Sequence, residues 1–597
     1  MSASLKSLFA TLPKTQRGQR IVINGDPKGK NFLYVNGNSV VIRNIDNPEI
    51  ADVYTEHSTA TTCAKYSPSG YYIASADVSG KVRIWDTVNK EHILKNEFQP
   101  FAGCIKDISW SSDNTKIAVG GEGREKFGHV FNAETGTSVG TIMGHSKCVN
   151  GIDFKPTRPF RLATASDDLS VAFFEGPPFK FKQTTREHTR FVNSVRYSPD
   201  GSIYVSCGAD GKLIVYDGKD GNKISEIGSP AHAGGIYGIS FSEDSKSLLS
   251  VSGDKTAKIW DIQANSVVTT FDMGKAIEDM QVGCLWQGSH LLTVSLSGYI
   301  NYLDKNNPST PLRIIKGHNL PITSLAVTED KSAIFSASSD GAICRWRING
   351  DNEMLNGSKH DNKIQKINIV RGKLISCSMD DTIAFSDVSE ARYGDKVKLQ
   401  SQPRGMSTSP SGLTVVASTN HISILMNGSM VKSVPIDFEG QSSAVHPHEK
   451  EFAVCGGDSK LRIYSYDDSF SLTIKREIVV QGVITDMSYS PDGTFLGAAS
   501  SGRPIYCFRL PDYEDLTSSQ WVYHTARVNS VCWSDDGKRL FSGGIDTNAF
   551  IWDPANTHSK TEIKGKHPMA IVNTVGWLDN NTVVTGADDG CVRVFTV

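Results

Sequence analysis

The stretch HAGGIYGISFSEDSKSLLSVSGDKTAKIWD, residues 232–261, holds the spacing that decides the fold. It opens on His232, reaches Ser250 eighteen residues later, Asp254 four after that and Trp260 six further on. The same 18–4–6 spacing returns as His318, Ser336, Asp340, Trp346 and as His524, Ser542, Asp546, Trp552. Softer copies are His188, Ser206, Asp210, Tyr216 and His567, Thr585, Asp589, Phe595. His57, Ser75 and Trp85 keep their places, with Ser79 in the Asp slot. His145, Thr164, Asp168, Phe174 carries one extra residue in its first interval. A four-residue spacing repeated in this way marks an internal repeat.

Within each copy the pattern is β. Residues 192–201, Val-Asn-Ser-Val-Arg-Tyr-Ser-Pro-Asp-Gly, alternate apolar and polar and end in a Pro-Asp-Gly turn. Residues 203–208 and 213–217 follow as two more short apolar runs around the Asp-Gly turn at 210–211. The cycle continues where the His or Trp is lost, at 20–46, 105–132, 278–304, 360–387, 402–426, 442–467 and 484–510. Fourteen units in 597 residues give about 43 residues each, the length of a four-stranded propeller blade. Rings of four to eight blades are usual. The expected fold is therefore all-β, two seven-bladed β-propellers in tandem. The first is expected over 1–308 and the second over 309–597, with the joint at the turn-rich Asn306-Asn-Pro-Ser-Thr-Pro311. The last unit, 571–597, lacks an outer strand, and Leu312–Lys316 is the expected donor. By the same logic Leu5–Leu12 should close the blade at 278–304, hiding an edge that would otherwise pair with other chains.

Composition narrows the function. Lys and Arg total 62 against 64 Asp and Glu, a formal charge of -2, which argues against nucleic acid as the main partner. The eleven cysteines are scattered with no CxxC pair, so neither a disulfide framework nor a zinc ribbon is expected. No apolar run approaches a membrane span, and the first ten residues lack the apolar core of a signal peptide. A reducing, cytoplasmic setting follows as the expectation.

His, Ser and Asp together suggest a hydrolase triad, but a triad occurs once per active site and these sets recur in graded copies. They read as buried polar groups that fix each blade. No phosphate-cradling loop, His-Glu-x-x-His or Gly-x-Ser-x-Gly is present. Gly25-Asp-Pro-Lys-Gly-Lys30 is one residue short of the first, and His446-Pro-His448 falls where other units turn. No enzyme activity, metal or cofactor is expected.

Departures from the repeat remain. The unit at 105–132 carries a charged, glycine-rich excursion at 120–128 in place of a short turn. The next unit ends in Glu175-Gly-Pro-Pro-Phe-Lys-Phe-Lys182, whose outermost strand turns out either Phe179 and Phe181 or its two lysines. Burial of both phenylalanines between blades is one reading; an exposed aromatic anchor beside Lys180 is the other. In a propeller the turns between second and third strands and the loops between blades open on one face. Glu125 and Asp167 sit in such turns of neighbouring blades, and Phe191 starts the next blade on that face. Asp168 is assigned to the structural set, which leaves Asp167 to face solvent. Glu125, Asp167, Lys180, Phe181 and Phe191 thus form an expected protein-binding rim.

Segments outside the repeat carry a resemblance: Gly25-Asp-Pro-Lys-Gly29 with Asn31-Phe-Leu-Tyr and Asn36-Gly-Asn-Ser-Val-Val-Ile-Arg-Asn-Ile45, Glu91-His-Ile-Leu-Lys with Gln99-Pro-Phe-Ala-Gly103, Gly121–Phe131, and Glu175–Lys182. With fourteen WD-repeat units, the chain resembles the actin-interacting protein 1 family of double propellers. The resemblance implies a monomer that binds actin filaments decorated by cofilin (actin-depolymerising factor). It also implies enhanced severing and disassembly, with barbed-end capping as a further capacity. The family's actin-contacting rim falls on Glu125, Asp167, Lys180, Phe181 and Phe191, and favours exposure of Phe181 and Phe191. The competing expectation is a WD-repeat scaffold of some other complex.

Overall fold

The computed structural model describes residues 3–348, 352–517, 519–563 and 569–597. It contains fourteen four-stranded antiparallel sheets, with a single 3-10 turn at Ile277–Asp279 among the described residues. Thirteen sheets run in chain order, inner strand to outer strand. Alternation explains the strands: Val192, Ser194, Val195 and Tyr197 are buried while Asn193 and Arg196 are only partly so. The core lies between sheets, as where Ile152, Phe154, Leu162 and Phe174 of the fourth sheet pack on Ala118 and Val130 of the third.

The chain divides into two compact units, Leu12–Asn319 and a second formed by residues up to Thr11 together with Leu320–Val597. Each is a closed ring of seven sheets. In the first, the Ile21 N–H donates to the Val282 carbonyl at 2.8 Å and Gln287 Nε2 to the Asn31 carbonyl at 3.2 Å, joining first sheet to seventh. In the second, the Leu325 N–H donates to Thr574 Oγ1 at 3.2 Å and Asn573 Nδ2 to the Ile322 carbonyl at 2.8 Å.

The closing strands are exchanged relative to the sequence expectation. Ser4–Phe9 pairs with Val592–Thr596, from Ser4↔Thr596 to Phe9↔Val592, and so completes the last sheet. Arg313–Ile315 pairs with Ile300–Tyr302 and completes the seventh. The joint expected near 308 accordingly lies inside the first unit, which continues to Asn319. The physical reason is local. Ten residues separate Tyr302 from Arg313, enough for a short return of the same chain onto its own sheet.

A β-bulge recurs near the start of the inner strand in every sheet except the first, Asn24–Tyr54. The extra residue is the second of the strand, for example Lys106, Asn150, Asn193 and Asn529. A bulge re-aims one side chain without moving the rest of the strand. Here it aims that side chain at its own sheet's turn or at the next sheet: Asn150, Asn193 and Asn529 donate to the carbonyls of Val192, Ile236 and Val572 at 3.1, 2.7 and 3.0 Å.

Candidate functional site

The repeated tetrads are structural in geometry as well as in number. His232 Nδ1 lies 2.9 Å from Asp254 Oδ2 and its Nε2 2.8 Å from Ser250 Oγ, which also accepts from Trp260 Nε1 at 2.8 Å. Ser250 is fully buried, so no substrate reaches its hydroxyl. In the second sheet the acidic slot is filled by Asp77, not Ser79: His57 Nδ1 lies 3.0 Å from Asp77 Oδ2, and the Ser79 hydroxyl donates to Asp77 at 2.6 Å. Asp77 reaches the imidazole from the end of its own strand, where it faces Thr61. His567 lies outside the described residues. His446 and His448 place their rings on the backbone carbonyls of Gly493 and Pro491, at 3.3 and 3.1 Å. All eleven cysteines are free thiols, and burial pushes Cys63 and Cys207 up to about 12.

Asp168 completes the tetrad of the fourth sheet, 2.9 Å from His145 Nδ1 and accepting the Ser146 N–H at 2.9 Å. Burial opposes its ionisation, but the bonds from His145, Ser170 and Ser146 outweigh that and hold it well below the usual carboxylate range. Its neighbour Asp167 is not left to solvent. It is half-buried, and Oδ1 accepts from Asn150 Nδ2 at 2.6 Å. Asn150 also donates to the Val192 carbonyl at 3.1 Å, one residue from Phe191. The bulge at Asn150 makes this bridge, which the repeat spacing does not reveal.

Phe179 and Phe181 part company. Phe179 precedes the outer strand Lys180–Thr185, takes a left-handed φ of 59°, and is buried at 2 % exposure against Phe154. Phe181 is 46 % exposed. The alternation expected across 179–182 fails because Phe179 lies in the turn and a bulge shifts the register past Phe181, so that Lys180, Phe181 and Lys182 are all exposed. One edge of Phe181 rests on Phe174, ring centroids 5.9 Å apart, and its other side lies over Gly144. Gly144 has φ +94°, and a Cβ there would fall 2.7 Å from the Phe181 ring. The left-handed backbone favours glycine here, and any larger residue would push the Phe181 ring aside.

Phe191 is 50 % exposed, with Lys147 Nζ 5.9 Å from its ring centroid. Gly144 and Lys147 share the connection between third and fourth sheets, so Phe181 and Phe191 flank one short segment that also exposes Met143. Lys180 is exposed opposite Glu175. Glu125 is exposed at the tip of the third sheet's connection, and among the described residues no hydrogen bond or ion pair holds it. The base of that connection is tied by Lys106 Nζ to Glu122 at 3.0 Å, again from a bulge residue. Thus Asp167, Phe181 and Phe191 are drawn together around residues 143–150, while Glu125 stands on the adjoining sheet. Met143, Lys147 and Asn150 are neighbours that the repeat pattern did not single out.

Beneath the rim lies a buried ion cluster. Asp107 of the third sheet meets Arg20 at 2.8 Å, Arg196 of the fifth sheet at 2.7 Å and Lys65 of the second at 3.4 Å. Burial would raise the Asp107 pKa; the charges of Arg196, Arg20 and Lys65 overcome it and hold the group far below the ordinary range. The cluster locks the third sheet, whose connection bears Glu125, to the fifth, whose first strand follows Phe191.

The WD domain, G-beta repeat family matches residues 49–86, 136–175, 179–217, 224–261, 309–347 and 517–553. Across 595 residues, 99% of this chain and 98% of the relative, the sequence is 49% identical to actin-interacting protein 1 of Drosophila melanogaster. It is 47% identical over 605 residues to WD repeat-containing protein 1 of Gallus gallus, covering 100% of this chain and 99% of the relative. To the protein of that name from Rattus norvegicus it is 48% identical over 611 residues, covering 100% of both chains. Among the described residues no helix is long and apolar enough to cross a membrane.

Proposed function

Since this chain belongs to the family of actin-interacting protein 1 and WD repeat-containing protein 1, we propose that it binds actin filaments and works with cofilin to sever and disassemble them. The observation that carries the reading is the pair of half-exposed aromatics, Phe181 and Phe191. Two large rings, one on the outer strand Lys180–Thr185 and one just before the strand Val192–Tyr197, beside Lys180 and Lys147 and near Asp167, have the make-up of a binding hot spot. Glu125 adds an exposed carboxylate on the neighbouring tip. The contact needs no chemical step. A rigid ring that binds the severed or end-exposed filament more tightly than the intact one shifts the equilibrium by that difference alone, and barbed-end capping is the same preference at a filament end. In this reading the protein is a monomeric, non-enzymatic component of the cytoplasmic actin cytoskeleton.

Co-sedimentation with actin filaments, with and without cofilin, tests the proposal. The protein should pellet with filaments more strongly when cofilin is present, and Phe181→Ala with Phe191→Ala should abolish the gain while leaving the melting temperature near that of the parent. Absence of pelleting under both conditions would favour a scaffold for another complex.

A further inference from the structure

The ring formed by residues up to Thr11 and Leu320–Val597 opens, on its turn-bearing face, into a cavity of about 680 Å³. The bulges shape its wall. Gln365, Arg404 and Gln441, each the second residue of an inner strand, turn into it. Lys363 and Arg527 stand one residue before their inner strands and line the same mouth. In the other ring the residues just before the inner strands, among them Cys104, Cys148, Phe191 and Gly235, carry no charge, and the one charged bulge residue, Lys106, is paired with Glu122.

Four cations line the cavity against two carboxylates, in a chain whose formal charge is -2. Both carboxylates are already engaged. Asp486 sits 2.8 Å from Lys366 Nζ and accepts from Ser530 at 3.0 Å, and Asp588 accepts from Asn573 Nδ2 at 2.6 Å. Arg404 spends one arm on Glu439 at 3.2 Å, while among the described residues its buried Nε has no acceptor. Among the described residues the Lys363 ammonium and Arg527 guanidinium have neither ion pair nor hydrogen bond. These charges feel one another. Desolvation lowers the Lys363 pKa, Asp588 pulls it back up, and Arg527 and Arg404 press it down further.

We propose that this mouth is a second binding site, which takes an acidic peptide segment of a partner protein, its spaced carboxylates meeting Lys363, Arg404 and Arg527. The distribution favours a peptide over a compact anion. The three cations come from three different sheets, with the uncharged amides of Gln365 and Gln441 on the same wall. A single inorganic anion needs donors converging on one point. Donors spaced around a rim match carboxylates spaced along an extended chain, with side-chain amides available to its backbone carbonyls. This site lies in the other ring from Phe181 and Phe191 and does not depend on the actin-binding role argued for them.

Fluorescence anisotropy of a labelled decapeptide of alternating Glu and Gly, titrated with the full chain, is the test. Binding is expected at low salt, falling as salt screens the cations, and absent for the Gln-Gly counterpart. It should weaken by about tenfold or more in Lys363→Glu combined with Arg527→Glu, and remain unchanged in Phe181→Ala. Lys363→Gln with Arg527→Gln removes the charges with less repulsion should the reversal disturb folding, and thermal melts verify both. Failure of the Glu peptide to bind, binding indifferent to these substitutions, or displacement by inorganic phosphate as effective as by unlabelled peptide would overturn the proposal.

Discussion

Asp167 and Asn150 share a hydrogen bond of 2.6 Å, and the same Asn150 amide holds the Val192 carbonyl at 3.1 Å. Asp167 is thus a positioning residue for the start of the next sheet, where Phe191 stands, as well as a charge near the surface. Two substitutions separate these roles. Asp167→Ala loses bond and charge and should cost about 1 kcal/mol of stability. Asp167→Asn keeps an acceptor for Asn150 and should melt close to the parent. Both should weaken filament binding if the carboxylate itself makes contact. Full binding by Asp167→Asn would assign the residue a positioning role alone. Asp168→Ala is a different case: its tetrad loses several bonds at once, and the expected cost is about 1–3 kcal/mol.

The three phenylalanines of the rim should sort by burial. Phe179→Ala empties a packed site between third and fourth sheets and should cost about 3–5 kcal/mol in denaturant unfolding. Phe181→Ala and Phe191→Ala remove rings that are half in water, so their folding cost should be much smaller. Their binding cost to cofilin-decorated filaments should reach about 2 kcal/mol or more. Variants that fold and bind normally would sink the rim as an actin contact.

Removing Asp107 leaves Arg20, Arg196 and Lys65 crowded beneath the rim without their shared carboxylate. Asp107→Ala should therefore destabilise the Leu12–Asn319 ring by about 3–5 kcal/mol, the scale for breaking a buried ion pair from one side. Calorimetry should show that ring's transition moving down while the other holds its place. A variant that melts like the parent would mean that water or counter-ions replace the carboxylate.

Deleting residues 1–9 removes the strand that pairs with Val592–Thr596. The ring containing Leu320–Val597 should melt earlier and expose a sticky strand edge, while the Leu12–Asn319 ring, closed by Arg313–Ile315, should keep its transition. Selective loss of the Leu12–Asn319 transition would contradict the observed pairing.

Acid should weaken the fold through the tetrads. Burial lowers the pKa values of His57, His232 and His360 despite their Asp partners. Above about pH 6.5 folded and unfolded imidazoles are alike neutral. Below it the unfolded chain takes up protons that the buried rings refuse, so stability falls until their lowered folded-state values are reached. Asp77 and Asp380, also lowered, extend the loss at still lower pH, as the unfolded carboxylates protonate first. Urea midpoints should fall between pH 7.5 and 5.5, as probe conditions on either side of that value; equal midpoints would show that these histidines contribute no linkage.

The blade count was legible because the spacing of His232, Ser250, Asp254 and Trp260 recurs in half of the units and the strand–turn cycle runs on through the others. The closing strands were not. Leu5–Leu12 and Leu312–Lys316 are both short apolar β segments, and nothing in either names its partner; the distance each must travel along the chain decides that. The rim was partly legible. Exposure of Phe191 and Glu125 follows from their place in the repeat, whereas Phe179 and Phe181 look equivalent until a left-handed turn residue and a register shift separate them. The inner-strand bulge left no residue signature, since Lys106, Asn150 and Arg404 share a backbone position and not a side-chain type. That is why Asn150 and its hold on Asp167 went unforeseen.

The pairing of Ser4–Phe9 with Val592–Thr596 bears on how the protein is made. During synthesis the Leu12–Asn319 ring has all seven of its outer strands as soon as Asn319 clears the ribosome. The segment Ser4–Phe9, which emerges before that ring, then waits for a partner that emerges well after it. Throughout that interval it hangs from a finished ring as an unpaired apolar strand, free to add to any open sheet edge it meets. Translation that stalls late in the chain should therefore release a half-product with one sound propeller and one adhesive tail, the form on which a nascent-chain chaperone would act.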